Sequence, residues 1–181
     1  MQSGYAYVKK IYVQENYQPP FQMTDERFAT WMIPGSLSTG AKVEVTLEGL
    51  NRGFHIHLVS SEEMRDYANR KGIEEIVRRS RHSIRILYAP NKQYFTEYVD
   101  GVKVNEEASR QIFTEERDDH IYKVLIQIDQ ADILKIYLRG EHVMTYSREG
   151  LDLTMLRQVV VDAPHGPYKP PVAIHRIEFT K

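Results

Sequence analysis

Residues Tyr122 to Asp162 read YKVLIQIDQADILKIYLRGEHVMTYSREGLDLTMLRQVVVD, and this stretch decides the fold. Within it, Ile133-Leu134-Lys135-Ile136-Tyr137-Leu138 alternates apolar with polar side chains, the period-two pattern of a strand with one buried face. The β-branched and aromatic runs Ile121 to Ile128 and Val143 to Tyr146 predict two further strands. Arg139-Gly140-Glu141 separates two of these runs and is consistent with a hairpin turn. A meander of antiparallel strands follows.

The same reading extends in both directions. Upstream, Val43-Glu44-Val45-Thr46-Leu47 alternates, and strand-like runs recur at Phe54 to Val59, Ile84 to Tyr88 and Tyr94 to Val99. Asp100-Gly101 joins Tyr98-Val99 to Val102-Lys103-Val104 as a second hairpin. Downstream, Val172 to Phe179 alternates once more and predicts a closing strand. The expected fold class is all-β, two antiparallel sheets packed as a jelly-roll sandwich. One segment breaks the rhythm. Ser60-Ser61-Glu62-Glu63 resembles a capping box and leads into MRDYANRKGIEEIVRRS, which has helix-forming composition, so a short helical insertion is expected near residues 61–80. Loop-forming residues are scattered rather than gathered into a linker. The expected organisation is an N-terminal extension, residues 1–30, packing on a single domain, residues 31–181.

Composition sets limits on function. With 24 basic and 25 acidic side chains the net charge is -1, so no global field draws the chain to nucleic acid or to an anionic membrane, and neither is expected as a partner. The absence of cysteine excludes a disulfide framework, a thiolate zinc site and a cysteine nucleophile, and fits a cytoplasmic or other intracellular location. The first twenty residues hold no apolar run long enough for a signal-peptide core, and no later stretch approaches the roughly 20 apolar residues of a membrane span. Export by a non-classical route would leave no mark in the sequence. The 12 tyrosines favour strands and binding faces.

Taken in order, the features from Trp31 onward resemble the galectin family of β-sandwich lectins, which share the concanavalin-like jelly roll. The opening is PGSLSTG (Pro34 to Gly40), followed by AKVEVTLEG and GFHIHLV; the closing part is Tyr122 to Asp162 and then IHRIEF. Galectins read galactose with a His-x-Asn-Pro-Arg strand, a following Asn, and Trp-Gly-x-Glu-x-Arg. By the resemblance, Ser83 to Asn91 stands in the first position, with Leu87, Ala89 and Asn91 where His, Asn and Arg are expected, and Pro90 kept. The second motif survives partly in Gln111 to Arg117. There Glu115 and Arg117 keep the Glu-x-Arg spacing, Ile112 replaces the stacking Trp, and Phe113 stands beside it. The implied carbohydrate-binding set is Tyr88, Asn91, Phe113, Glu115 and Arg117. A buried hydrogen-bonding group without its partner costs about 1–3 kcal/mol, so losing three such groups should abolish ordinary galactoside affinity. Tyr88, Tyr94, Phe95 and Tyr98 are either stacking surfaces for a different sugar or members of the sandwich core.

Other constellations compete with this reading. His55-x-His57 places two imidazoles on one side of a strand, and with Glu62 it approaches the first cupin metal motif, so a metal-dependent cupin-like enzyme is the alternative. The second cupin motif is missing. Arg78 to Arg85 is the sole dense basic cluster, and Glu115 to His120 is an acidic one able to offer calcium ligands; both also read as solvated surface. No nucleophile elbow, phosphate-cradling glycine loop or complete zinc motif is present. The expectation is a non-catalytic, galectin-like binding module without a cofactor, its partner a glycan or a protein.

Overall fold

The computed structural model describes residues 28–49, 54–60, 80–89, 92–110, 121–130, 132–162 and 172–181. Eleven strands form among them: β1 (Phe28–Met32), β2 (Lys42–Gly49), β3 (Phe54–Val59), β4 (His82–Ala89), β5 (Lys92–Val99), β6 (Val102–Arg110), β7 (Ile121–Ile128), β8 (Leu134–Leu138), β9 (Glu141–Tyr146), β10 (Gln158–Asp162) and β11 (Val172–Thr180). The alternation read in the sequence sets the packing. Val124, Ile126 and Ile128 of β7 pair with Leu138, Ile136 and Leu134 of β8, and Leu134 and Ile136 pair in turn with Tyr146 and Met144 of β9. All of these side chains are buried, which gives one sheet a continuous apolar inner face.

Two sheets result, both antiparallel. One has six strands in the order β1-β10-β3-β4-β5-β6, the other five in the order β11-β2-β7-β8-β9. Their inner faces meet through Phe54 and Tyr122, with ring centroids 5.2 Å apart, and through Phe95 and Tyr146 at 4.4 Å. The all-β sandwich is therefore the fold. The hairpins expected at Asp100-Gly101 and Arg139-Gly140 have positive φ at both residues, 50° and 77° in the first and 53° and 82° in the second. That is the type I′ geometry, whose twist matches that of the flanking strands.

The Pro34 to Gly40 segment anchors the start of β2. Leu37 drops into the core, the Gly40 amide donates to the Ile128 carbonyl at 2.8 Å, and the Ile128 amide donates to that of Ala41 at 2.8 Å. Gly35 lies against the ring of Phe179 on β11, where a Cβ would come within 2.5 Å of the ring.

The structure departs from the sequence reading at three strands. The first strand begins at Phe28, inside the segment expected to be an extension, and pairs with β10. In β10 itself Val159, Val160 and Val161 are all buried, so the strand shows a continuous apolar run instead of alternation. Most of β6 is polar because it is an edge strand. The helical insertion near residues 61–80 lies outside the described residues except for Ser80, which is not helical. Among the described residues the sole helical element is the 3-10 turn Leu153–Met155, where the Asp152 carboxylate accepts from the Thr154 amide at 3.0 Å.

Candidate ligand-binding face

Alternation divides the six-stranded sheet into two faces, and cross-strand register shows what each carries. The inner face holds Phe54, Tyr88 and Gln93 in one row, Ile56, Ile86 and Phe95 in the next, and Leu58, Ile84 and Glu97 in a third. The outer face holds the intervening residues. One row runs Val160, His57, Arg85, Thr96, Glu106; a second Gln158, Val59, Ser83, Tyr98, Lys103; a third His55, Leu87, Tyr94, Ala108.

Glu97 fixes this division. Its side chain is fully buried and reaches the opposite sheet, where it accepts from the Tyr146 hydroxyl, from Arg148 Nε at 2.6 Å and from Arg148 Nη2 at 2.9 Å. His82 Nε2 lies 2.6 Å from its second oxygen. Burial alone pushes this carboxyl up, but the hydrogen bonds from Arg148, Tyr146 and His82 outweigh it and hold the pKa below the ordinary carboxylate value. Because side chains alternate strictly, anchoring Glu97 inward obliges its neighbours Thr96 and Tyr98 to point outward.

On the outer face Thr96 Oγ1 donates to Glu106 Oε2 at 3.4 Å, and Lys103 Nζ lies 3.5 Å from the same oxygen. The Arg85 guanidinium sits over the ring of Tyr98, 5.8 Å from its centroid. Arg85 Nε and Ser83 Oγ are buried atoms with no hydrogen-bond partner among the described residues. Tyr94 and Tyr98 are partly exposed. The accessible part of the face thus combines the rings of Tyr94 and Tyr98 with the Arg85 cation, while Ser83 and Thr96 beside them are buried.

The residues expected from the sequence are distributed unevenly. Tyr88 points inward, is 1 % exposed and packs on Phe54 with ring centroids 4.7 Å apart, so it belongs to the core and offers no face to a sugar. Phe95 is likewise internal, whereas Tyr94 and Tyr98 reach the outer face. Asn91, Phe113, Glu115 and Arg117 lie outside the described residues. The strand paired to β5 is Val102–Arg110, so the described carboxylate presented beside Thr96 is that of Glu106. The sequence reading places Ser83 and Arg85 in a solvated basic cluster and passes over Thr96 and Glu106; counting by twos in β4 from the buried Ile84 and Ile86 puts Ser83 and Arg85 on the outer face.

His55 and His57 share the outer side of β3 with ring centroids 5.9 Å apart, but His57 is buried and Glu62 lies outside the described residues. Among the described residues no group of three or more His, Asp or Glu side chains could hold a metal ion. The cupin reading gains no support from this geometry. Among the described residues no helix is long and apolar enough to cross a membrane.

Strand order and sheet pairing define an antiparallel two-sheet sandwich. Compared with solved structures, the chain is similar to galectin LEC-6 of Caenorhabditis elegans, with a TM-score of 0.58 at 12 % identity over 84 % of this chain and 90 % of that one. It is similar to sheep galectin-11 in complex with glycerol, with a TM-score of 0.59 at 8 % identity over 84 % of this chain and 96 % of that one. A single-site variant of human galectin-16 gives a TM-score of 0.60 at 10 % identity over 84 % and 94 %. The fold is galectin-like. No protein-family model and no curated protein matches the sequence.

Proposed function

We propose that the chain is a non-catalytic binding module that takes a glycan on the outer face of the six-stranded sheet, with a specificity different from that of galactose-reading galectins. The observation that carries this reading is the outward placement on adjacent strands of Arg85, Tyr94 and Tyr98, which keep exposed surface, with Glu106 beyond them, whereas His57 and Thr96 in the same row are buried. Aromatic faces stack on the apolar side of a sugar ring, and polar groups in fixed register read its hydroxyls. Leu87 and Ala89 on β4 replace groups by which the galectin motif binds galactose, which supports altered specificity. The outward hydroxyls support binding over catalysis: Thr96 is engaged by Glu106, and Ser83 meets no base among the described residues. Glycan-array binding followed by backbone amide mapping tests the proposal. Shifts centred on Arg85, Thr96 and Tyr98 are expected; perturbation confined to the five-stranded sheet, or no glycan bound, would overturn it.

A protein partner is the second reading. It is favoured by β6, the edge strand of its sheet among the described residues, which exposes Val102 at 66 % and Val104 at 48 %. A purified partner that perturbs β6 amides and leaves Arg85 and Tyr98 unmoved would select it.

A further inference from the structure

Part of the outer face of the six-stranded sheet is buried although the two-layer sandwich leaves that side uncovered. All eleven described strands belong to the two sheets, and the five-stranded sheet packs on the inner side. Yet on the outer side Val59, Val160 and Thr96 are 0 % exposed, Ser83 1 %, His57 2 % and Gln158 3 %. A strand that is apolar on both sides marks a sheet covered on both faces, and β10, with Val159, Val160 and Val161 all buried, is such a strand. The burial is local. It centres on β10, β3 and β4 in the rows of Val59 and His57. In the next row His55, Leu87 and Tyr94 keep exposed surface, as do Met32 and Lys103 at the two edges of the Val59 row.

Chain direction identifies the cover. Of the segments outside the described residues that join the six-stranded sheet, all but one meet it at the end of the exposed row, where Phe28, Phe54, Ala89, Lys92, Arg110 and Asp162 lie. Residues 61–79 alone leave and return at the buried end, after Ser60 and before Ser80. Two bonds close that junction: the Ser60 amide donates to the His82 carbonyl at 3.0 Å, and the His82 amide to the Ser60 hydroxyl at 3.0 Å. In the sequence Met64, Tyr67 and Ala68, and then Ile73, Ile76 and Val77, fall at the i, i+3, i+4 spacing of an apolar helical stripe. A helix is about 10–12 Å across and strands stand about 4.8 Å apart, so one helix covers about two to three strands, the width of the buried area. We propose that residues 61–79 dock through these apolar side chains on the outer rows of β10, β3 and β4 as a third layer of the fold. This docking holds whether or not the chain binds a glycan, and it confines any ligand on this face to what stays open, Arg85, Tyr94 and Tyr98 with His55 and Leu87.

Because the chain has no cysteine, a nitroxide label can be attached at one chosen position of the full chain. Labels on Asp66→Cys and on Glu75→Cys, made separately, should erase the methyl resonances of Val59 and Val160, while Leu125 on the outer side of the opposite sheet keeps its intensity. A label on Gln14→Cys should leave Val59 and Val160 intact. The reverse pattern gives the face to the N-terminal segment and overturns the proposal. Labelled chain mixed with unlabelled, isotope-enriched chain should cause no broadening; loss of the Val59 and Val160 signals in that mixture assigns the cover to a second copy and overturns it too. So does survival of both signals with every label. An independent readout is His57, which is 2 % exposed beside the more open His55. An imidazole-acylating reagent should modify His55 first, and Ile73→Asp/Ile76→Asp should bring His57 close to the rate of His55. An unchanged His57 rate in that variant, folded, overturns the docking. If the variant does not fold, the labels still decide, since Asp66 and Glu75 lie off the apolar stripe.

Discussion

The guanidinium of Arg148, just past the end of β9, clasps both carboxylate oxygens of Glu97 on β5, Nε to Oε1 at 2.6 Å and Nη2 to Oε2 at 2.9 Å, and so ties the two sheets together with a bidentate ion pair. Glu97 is fully buried, and taking a carboxylate out of water is offset only by such close partners. Removing the carboxylate strands Arg148, Tyr146 and His82 together. Glu97→Ala is expected to cost about 3–5 kcal/mol, and Glu97→Gln about 1–3 kcal/mol, since the amide keeps the shape but turns an NH2 group toward donors. Urea unfolding monitored by circular dichroism checks both; a loss under about 0.5 kcal/mol for the alanine variant would show that the pair contributes nothing net.

The same cluster predicts how stability depends on acid. The folded pKa of Glu97 lies below its ordinary value, so its contribution is complete above the unfolded pKa and is lost as pH falls from there through the folded one. Between pH 7 and about pH 5 the urea midpoint should therefore hold level as far as this group is concerned, then decline below the ordinary carboxylate range. In Glu97→Gln the decline over that window should be shallower. A parallel acid profile in the two proteins would remove Glu97 as its source.

At the alkaline end the sign reverses. The Tyr146 hydroxyl is pushed up to about 12, by burial first and then by its hydrogen bond to Glu97. A raised folded pKa means stability complete below the unfolded tyrosine value near 10 and lost as pH rises through the folded one. Burial raises the Tyr88 hydroxyl as well, so phenolate absorbance should show Tyr146 as one of the late-titrating tyrosines. The parent-minus-Tyr146→Phe difference spectrum should isolate its late step, which returns to ordinary titration on unfolding, and a difference spectrum with only ordinary titration would break the assignment.

How much of this was legible beforehand depends on the kind of residue. Residues such as Val45, Ile126 and Ile136 announce their strands because each has one apolar and one polar side, and period two is visible in any such run. β10 was missed for the opposite reason, since Val159, Val160 and Val161 are buried on both faces and carry no alternation to read. β6 was read only at its start, because Asn105, Glu106 and Glu107 on an exposed edge look like loop. For the site, sequence gave the aromatic candidates but not their sides: Tyr88 and Tyr98 look alike in a string, and only register assigns one to the core and the other to the surface. The Glu97 cluster could not be read at all, because Arg148 lies 51 residues away in sequence and the pairing exists only once two sheets have stacked.

Two glycines should respond to alanine for different reasons. Gly140 has a φ of 82° with open space where a Cβ would stand, so Gly140→Ala costs only the left-handed backbone conformation, about 1–2 kcal/mol. Gly35 has no such φ, but its new Cβ would come 2.5 Å from the Phe179 ring. Overpacking of this kind costs about 1–3 kcal/mol, and it should be relieved in Gly35→Ala/Phe179→Leu, where the ring that causes it is gone. Additive losses in that double variant, measured by thermal unfolding, would show that the Gly35–Phe179 approach is not the cause.

The last expectation concerns which part of the molecule meets a ligand. Tyr98 lies under the Arg85 guanidinium on the outer face and is held there by the inward turn of Glu97 beside it in the chain. If a sugar ring stacks on Tyr98, Tyr98→Ala should weaken glycan binding about tenfold, whereas Tyr98→Phe, which keeps the ring and loses the hydroxyl, should stay within a few-fold of the parent. The double variant Glu115→Ala/Arg117→Ala separates the two candidate locations. Unchanged binding there together with loss in Tyr98→Ala places recognition on the outer rows of β4 and β5; loss in the double variant with Tyr98→Ala unaffected moves it to the segment that follows β6 and retires the outer-face assignment.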